Sequence, residues 1–274
     1  MQVNWRKKLV SFGLCVASFL LLSACGEAGE KTEIPPSLVK PGWMGQTVSI
    51  TDNEGTKDVP LNPKKVVAWD ERARDLLEAL GVEVSDDVGE ADLIVIATEH
   101  SEQLPDVPVI DVTPREGPPL DWEMVRQVQV LGPVFEKDEE AKTLDDEFSE
   151  ALVRAKDEVD EDWTVAIVGA NGTDVDPQAG RELFEPVVEM LGLELVEAEK
   201  KPDVILVVEP NFDPAVEGYI PAMKLVLDDE RFEGSDAVED SNIYVAPFDT
   251  PAVASIAAYT QVFNELAGVW EAMN

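Results

Sequence analysis

The chain has 274 residues, with 21 lysines and arginines against 57 aspartates and glutamates, and a formal net charge of −36. Such acidity excludes the basic surface that a phosphate backbone requires, so we expect no nucleic-acid partner and no close adsorption to anionic lipid. The acidity favours solubility, and it makes any cluster of the scarce basic residues a candidate site.

The first 25 residues have the pattern of an export signal. A basic segment at residues 6–8 precedes an apolar stretch over residues 9–22 that is too short to span a bilayer. The stretch ends in LSAC, which resembles the lipobox of bacterial lipoproteins and implies lipidation of Cys25; an ordinary signal peptide with a chance cysteine is the alternative. We expect residues 1–24 to be removed and the chain to be anchored by Cys25 to the extracytoplasmic side of the cell membrane.

Residues 25–46 are rich in glycine, proline and charge, which predicts a flexible tether. Apolar and polar residues then alternate on both sides of Asn53-Glu54-Gly55, a hairpin pattern. From residue 64, short apolar runs alternate with helical patterns, with Asp70 a plausible N-cap and Gly81 a helix stop. We expect strands over residues 64–70, 91–98 and 107–113, and helices over residues 71–80 and 121–131.

Residues 136–160 form a highly charged segment with a single apolar stripe. Apolar residues recur there at spacings of three and four, which predicts one amphipathic helix about 35 Å long. The stripe consists of Ala141, Leu144, Phe148, Leu152, Ala155 and Val159.

The strand and helix alternation then restarts. Pro186 suits the first turns of its predicted helix better than the middle, and Pro251 is expected near the first position of the closing helix. We expect strands over residues 163–170, 193–198, 202–210 and 242–247, and helices over residues 181–192, 214–229 and 251–273.

This order predicts an α/β fold of two Rossmann-like lobes joined by a single long helix, with a ligand cleft between the lobes. Near-continuous apolar strands are typical of parallel sheets covered by helices on both faces. Strand ends and interdomain clefts are where such folds bind ligands. The predicted divisions are a signal peptide (1–24), a tether (25–46), an N-terminal lobe (47–135), a bridging helix (136–160) and a C-terminal lobe (161–274).

Five segments of the chain resemble those of one known family: VSITDNEGTKDVPLNPKKVVAWDERARDLLEALGVEV, ADLIVIATEHSEQLP, LGPVFEKDEEAKTLDDEFSEAL, PDVILVVEPNFDP and VEDSNIYVAP. The family is that of the substrate-binding lipoproteins of ABC importers for iron–siderophore complexes, haem and cobalamin. The resemblance covers residues 47–272 and is specific for architecture rather than for the ligand. The sequence departs from the family at residues 85–90 (SDDVGE), where the family has a longer loop and an added helix.

The predicted N-terminal lobe offers five candidate residues. Arg72 and Arg74 open a helix behind a strand end, where they could bind an anionic chelate or form salt bridges along the helix face. Trp69 could stack on an aromatic chelator or belong to the core. His100, the only histidine, is a pocket donor, an iron ligand or a solvated loop residue. The resemblance implies acidic docking residues for a permease, for which Glu102 is the candidate.

The predicted C-terminal lobe offers four more. Arg181 opens a helix after a loop rich in glycine, asparagine and aspartate, and Asn171 in that loop is a weaker candidate because Asn-Gly is first a turn signal. Tyr219 could ligate haem iron opposite His100, or could be a half-buried helix residue. Phe248 is a candidate for the rim of the cleft.

Several functions conflict with the sequence. One histidine cannot supply a multi-histidine zinc or manganese site, Asp174 and Asp176 lack the calcium-loop pattern, and no nucleophile elbow or phosphate-binding loop occurs. The resemblance therefore implies a monomeric receptor without a resident cofactor that captures a ferric siderophore and delivers it to an ABC permease. A haem receptor of the same architecture is the alternative, followed by an exported enzyme or a structural envelope lipoprotein.

Overall fold

The computed structural model describes residues 45–100, 103–209, 218–246 and 255–271. It opens on an antiparallel hairpin of β1 (Thr47–Asp52) and β2 (Gly55–Pro60), in which Asp52 lies opposite Gly55. Gly55 has a φ of +111°, a backbone conformation that favours glycine and closes the turn. The hairpin expected around Asn53 is therefore confirmed.

The first sheet is parallel and has the strand order β3-β4-β5. Helix α1 leaves the end of β3, and α2 leaves the end of β5. The bounds are β3 (Val66–Ala68), α1 (Glu71–Ala79), β4 (Leu93–Ile96), β5 (Val109–Asp111) and α2 (Leu120–Leu131). Asp70 caps α1 as expected, because its carboxylate accepts the backbone N–H of Ala73 at 2.8 Å.

The two faces of this sheet are covered differently. One face belongs to a core that includes side chains of α1 and α2, such as Leu76 and Met124. The other is covered by Ala91, Leu104 and Val107, which lie outside helices and strands. Helices on both faces were expected, and that expectation fails here because residues 85–90 form only a short connection with a single 3₁₀ turn.

A long helix, α3 (Asp138–Asp157), connects the two sheets. Its 20 residues span about 30 Å, so it is shorter than the segment 136–160 from which it was predicted. Acidic residues occupy its first turn and basic residues its last, as the helix dipole favours. Of the expected stripe, Leu144 is half-buried and Val159 lies beyond the helix end; the fully buried residues are Ala141, Phe148, Ala151, Leu152 and Ala155.

The second sheet has parallel strands in the order β8-β6-β9-β10, with the short β7 antiparallel to the end of β6. Its strands are β6 (Thr164–Ala170), β7 (Val175–Asp176), β8 (Glu194–Leu195), β9 (Val204–Val208) and β10 (Ile243–Val245). Its helices are α4 (Arg181–Leu191), α5 (Ala222–Leu227), α6 (Asp236–Glu239) and α7 (Ile256–Glu271). Apolar side chains of α4 and α7 belong to the core on one face, and those of α5 and α6 to the core on the other.

Three expectations for this half need correction. The helix predicted over residues 214–229 is only α5, because residues 218–221 are not helical and residues 214–217 lie outside the described part. Pro251 lies outside the described residues, and α7 begins at Ile256 rather than at the expected residue 251; the Ser255 hydroxyl accepts the N–H of Ala258 at 3.2 Å. Pro186 lies in the middle of α4 rather than in its first turn.

One continuous core connects the two lobes. Buried apolar side chains run from α1 and α2 through α3 to α4 and α7, and the Phe148 and Phe263 rings of α3 and α7 lie 6.1 Å apart. The buried Ser255 hydroxyl also hydrogen-bonds to the Asp75 carboxylate on α1. The molecule is thus a mixed α/β protein whose two lobes share a helical core. None of the described helices is long and apolar enough to cross a membrane.

Candidate ligand-binding site

The carboxyl ends of the parallel strands bring most of the candidate side chains to one edge of each sheet. In open α/β folds that edge is where ligands bind. We call residues 68–72, 97–100 and 111–116, which follow β3, β4 and β5, the N-lobe mouth. Residues 170–174, 180–181, 208–209 and 218–220, in the second half of the chain, form the C-lobe mouth.

Asp70 organises the N-lobe mouth. One carboxylate oxygen caps α1, and the other accepts the backbone N–H groups of Ala97 at 2.9 Å and Thr98 at 3.2 Å. A single side chain therefore fixes the start of α1 against the segment that follows β4. The sequence predicted the cap, but it gave no indication of the second attachment, because Ala97 lies 27 residues further along the chain.

Trp69 and His100, both predicted site residues, line the same open depression of about 500 Å³. Trp69 is half-buried against the thinly covered face of the sheet, and His100 is exposed. The other lining residues are Ala68, Asp70, Val88, Thr98 and Glu99. Val88 belongs to the short connection over residues 85–90, so the shortened segment that the sequence revealed forms one wall of this depression.

The two arginines of α1 have different surroundings. Arg74 donates to Asp86 at 2.7 Å, so its guanidinium lies beside the short connection. Arg72, two positions earlier, lies about 200° away around the helix and close enough to Tyr259 of α7 for its charge to affect that hydroxyl. Burial raises the pKa of Tyr259, and the positive charge of Arg72 opposes the rise. Within the described residues Arg72 has no ion pair, so it is the arginine of α1 with a free guanidinium.

Sequence reasoning missed Arg115 in this mouth. Arg115 follows β5 by four residues and is half-exposed, and its guanidinium contacts the carboxylate of Glu123 at 2.5 Å. Glu123 is only 1% exposed and also contacts Arg126 at 2.7 Å. An arginine shortly after a strand end was a usable sequence signal, but nothing distinguished Glu123 among 57 acidic residues.

In the C-lobe mouth, the Asn171 side chain stabilises the turn in which it lies. Its side-chain oxygen accepts the backbone N–H groups of Thr173 at 3.0 Å and Asp174 at 2.9 Å, and also the Thr173 hydroxyl. Gly172 follows with a φ of +84°, and a Cβ there would meet the Tyr219 ring at 2.9 Å. The glycine is therefore needed both for the turn and for the close approach of the tyrosine.

Tyr219 is fixed above this turn by Glu209, which follows β9. Its hydroxyl donates to the Glu209 carboxylate at 2.6 Å. Burial, this hydrogen bond and the negative charge of Glu209 together raise the pKa of Tyr219 to about 12. At neutral pH the side chain is a phenol that is engaged as a donor.

Arg181 is held at the start of α4 by two carboxylates. It lies 2.8 Å from Glu185 and 3.7 Å from Glu197, while its Nε is buried without a hydrogen-bond partner among the described residues. Glu102, Phe248 and Cys25 lie outside the described residues. Within the described part of the chain, no group of three or more histidine, cysteine, aspartate or glutamate side chains could hold a metal ion.

Two parallel sheets joined by a long helix, with polar side chains at their strand ends, define the class of fold to which the chain belongs. It has the fold of the TroA-like periplasmic binding proteins, the group that includes siderophore-binding proteins of ABC importers. No family model matches the chain, and a search of curated proteins gave no match.

Individual solved structures show how far the likeness extends. A TroA-like periplasmic binding protein from Xylanimonas cellulosilytica has a TM-score of 0.57 and 18% identity over 82% of this chain and 99% of its own. The siderophore-binding protein BauB, bound to ferric iron and two molecules of acinetobactin, has a TM-score of 0.60 and 13% identity over the same shares. The petrobactin-binding protein YclQ from Bacillus subtilis has a TM-score of 0.58 and 17% identity, again over 82% and 99%. At these identities the likeness establishes the fold.

Proposed function

We propose that this protein is the extracytoplasmic substrate-binding component of an ABC importer and that it binds a ferric siderophore between its lobes. The observation that carries the proposal is the pair of mouths, because donors and cations lie at the strand ends of both sheets in a fold shared with siderophore-binding proteins. We propose a binding role rather than an enzymatic one.

The N-lobe mouth supports an anionic ligand. Arg72 lies in the first turn of α1 there and has no ion pair among the described residues, and Trp69 and His100 share a depression large enough for part of a chelate. A ferric siderophore presents carboxylate, catecholate or hydroxamate oxygens, which accept charge-assisted hydrogen bonds from guanidinium groups. Stacking on Trp69 suits a chelator that contains aromatic rings.

The haem alternative has weaker support. It requires His100 and Tyr219 to ligate iron, and tyrosine ligates ferric iron as tyrosinate. The Tyr219 hydroxyl instead donates to Glu209, and its pKa is raised to about 12. Deprotonating it at neutral pH would place a second negative charge beside that carboxylate.

The remaining parts of the proposal concern the envelope. We propose that lipid on Cys25 anchors a monomer to the extracytoplasmic side of the membrane and that Glu102 contributes to docking on the permease. Support comes from the lipobox-like LSAC segment and from the likeness of residues 94–105 to the first cleft loop of the family.

The test is a ligand screen by tryptophan fluorescence. Ferric complexes of a hexadentate tris-catecholate and a hexadentate trihydroxamate, together with hemin and cobalamin, are titrated into the full mature protein. We expect saturable quenching with at least one ferric chelate, reduced in Trp69→Phe. A Soret shift with hemin that His100→Ala abolishes would instead identify a haem receptor. Silence with all four ligands would overturn the proposal and favour an enzyme or a structural lipoprotein.

A further inference from the structure

Three charged side chains form a compact cluster between the end of β5 and the first two turns of α2. Glu123 is buried, with 1% of its side chain exposed, and it lies between Arg115 and Arg126. The Arg115 Nε lies 3.0 Å and 3.2 Å from the two carboxylate oxygens, and Nη2 lies 2.5 Å from one of them. The backbone N–H of Arg115 donates to the same carboxylate at 3.0 Å.

Arg126 holds the other side of Glu123. Its Nε donates to the carboxylate at 2.9 Å, while Nη2 donates to the main-chain carbonyls of Val112 and Thr113 at 3.3 Å and 3.0 Å. The Arg126 side chain is only 16% exposed, so its positive charge interacts with groups inside the lobe rather than with solvent. The cluster carries one net positive charge, and that charge reaches solvent at Arg115, which is 51% exposed.

Two acidic residues at the ends of β1 and β5, Asp52 and Asp111, have partners of their own. The Asp111 carboxylate accepts from the Asn53 side chain at 3.2 Å and from the backbone of Thr113 at 2.9 Å. Asp52 accepts the N–H of Asp111 at 2.8 Å and pairs with Lys57 at 2.7 Å. Both carboxylates are therefore engaged by groups other than Arg115.

This arrangement differs from an ordinary surface pair. Arg154 and Glu271, for example, are 45% and 46% exposed, so both charges are solvated. The net charge that this pair presents to solvent is zero. At Arg115 the anion is buried and the cation is exposed and fixed by several hydrogen bonds. A buried carboxylate that immobilises an exposed guanidinium lowers the entropic cost of binding an anion there.

We propose that Arg115 contacts an anionic oxygen of the ligand in the N-lobe mouth and that Glu123 is its positioning residue. The inference rests on the proposed function and extends it, since it selects chelates that carry net negative charge. The three proposed ligand contacts follow three neighbouring parallel strands: Trp69 follows β3, His100 follows β4 and Arg115 follows β5. No step depends on a change of protonation.

The test compares two ferric chelates of different charge. A ferric tris-catecholate carries three negative charges, whereas a ferric trihydroxamate is neutral. We expect Arg115→Gln to weaken binding of the tris-catecholate about tenfold, the lower range for a hydrogen bond to a charged group, and to leave trihydroxamate binding within about twofold. Arg154→Gln is the matched control, because it removes an arginine of similar exposure from a glutamate pair on α3 and α7.

The positioning role has its own readout. Glu123→Gln keeps the charge of Arg115 but releases its guanidinium, so we expect a faster dissociation rate with an association rate that does not fall. Glu123→Gln also destabilises the fold, so Arg115→Lys is measured beside it. Arg115→Lys keeps the positive charge but lacks the planar guanidinium, and the ligand should dissociate faster from this variant as well.

The outcomes separate the inference from the proposed function. If the unaltered protein binds neither ferric chelate, the proposed function fails. If it binds the tris-catecholate and Arg115→Gln binds it equally well, the function stands and this inference is overturned. Equal losses for the charged and the neutral chelate would also overturn it, because they would reflect a general structural defect rather than contact with an anion.

Discussion

The two mouths use their charged residues in opposite ways. In the N-lobe mouth, Asp70 accepts three backbone N–H groups, and the buried Glu123 holds the exposed Arg115 at the surface. In the C-lobe mouth, the Arg181 cation is paired with two glutamates, Glu185 and Glu197. The Glu209 carboxylate, which follows β9, accepts a neutral hydroxyl there, that of Tyr219. The positive contribution to an anionic ligand therefore comes from the N-lobe.

The difference shows how far an arginine in a very acidic chain indicates a binding site for an anion. With 57 acidic residues against 21 basic ones, most arginines find a carboxylate within reach, so their presence near a strand end says little by itself. What matters is whether the partner carboxylate is buried, as at Arg115, exposed, as at Arg74, or absent among the described residues, as at Arg72. A buried partner leaves the cation available only where the arginine itself stays exposed, as Arg115 does and Arg126, paired with the same Glu123, does not.

The largest expected effect tests how firmly the N-lobe mouth is held. Asp70→Ala removes a helix cap and leaves the N–H groups of Ala97 and Thr98 without acceptors, so we expect the free energy of unfolding to fall by about 3 kcal/mol. Urea denaturation measures it. Asp176→Ala in the second sheet is the control, since that exposed residue accepts one N–H from Gln178, and we expect a loss below about 0.5 kcal/mol. Equal losses for the two variants would remove the contrast between the mouths.

The next effect concerns acid stability. The hydrogen bonds from Arg115 and Arg126 outweigh burial and hold the pKa of Glu123 to about 2, below its ordinary value of 4.5. A lowered folded-state pKa contributes stability above the ordinary value, and that contribution is lost as the pH falls from about 4.5 to about 2. We expect it to be about 2 kcal/mol after allowance for solvent screening at Arg115.

Glu123→Gln should therefore be less stable than the unaltered protein at pH 7 and should converge with it near pH 2. Urea midpoints across this pH range provide the comparison. The C-lobe counterpart is Asp229, whose pKa is lowered by Arg231 alone. Because one arginine replaces two, Asp229→Asn should show a smaller pH-dependent difference. A difference for Glu123→Gln that is constant with pH would contradict the assignment of the low pKa.

The smallest effect belongs to the C-lobe mouth. The pKa of Tyr219 is raised to about 12 from 10.0, so the neutral phenol contributes stability below about pH 10, and this contribution is lost as the pH rises through 12. Tyr219→Phe should remove an absorbance step at 295 nm near pH 12 and should leave tris-catecholate affinity within about threefold, unlike Arg115→Gln. A step near pH 10 in the unaltered protein would show that the contact with Glu209 does not persist in solution.

Much of the fold was predictable because it depends on local patterns. The hairpin around Asn53, the cap at Asp70 and the buried strands around Ile94 and Ile205 follow from turn residues and apolar runs that act over a few positions. Errors occurred where a local pattern does not determine the boundary. The closing helix, expected from residue 251, begins at Ile256, where the Ser255 hydroxyl accepts the N–H of Ala258.

The site was less predictable, because its chemistry depends on pairs of side chains that are distant in sequence, or that are close in sequence but lie on different sides of a helix. Arg72 and Arg74 are two residues apart and lie about 200° apart around α1, yet among the described residues only Arg74 of the two forms an ion pair, with Asp86. Residue type marks Tyr219 as a candidate ligand, whereas its hydrogen bond to Glu209, ten residues away, is visible only in the folded chain. Trp69 and His100, by contrast, follow adjacent parallel strands, and their common depression follows from strand order.

The sequence by itself determined the order of strands and helices and the parallel character of the two main sheets, because periodicity and turn chemistry operate within a few residues; the short connection at residues 85–90 followed from the resemblance to a family with a longer loop there. The tertiary structure alone decided which charges remain available. An ion pair depends on two side chains reaching one another and on whether either is buried, and neither quantity is encoded locally. For this reason Arg115 becomes a candidate only when Glu123 is seen to be buried behind it.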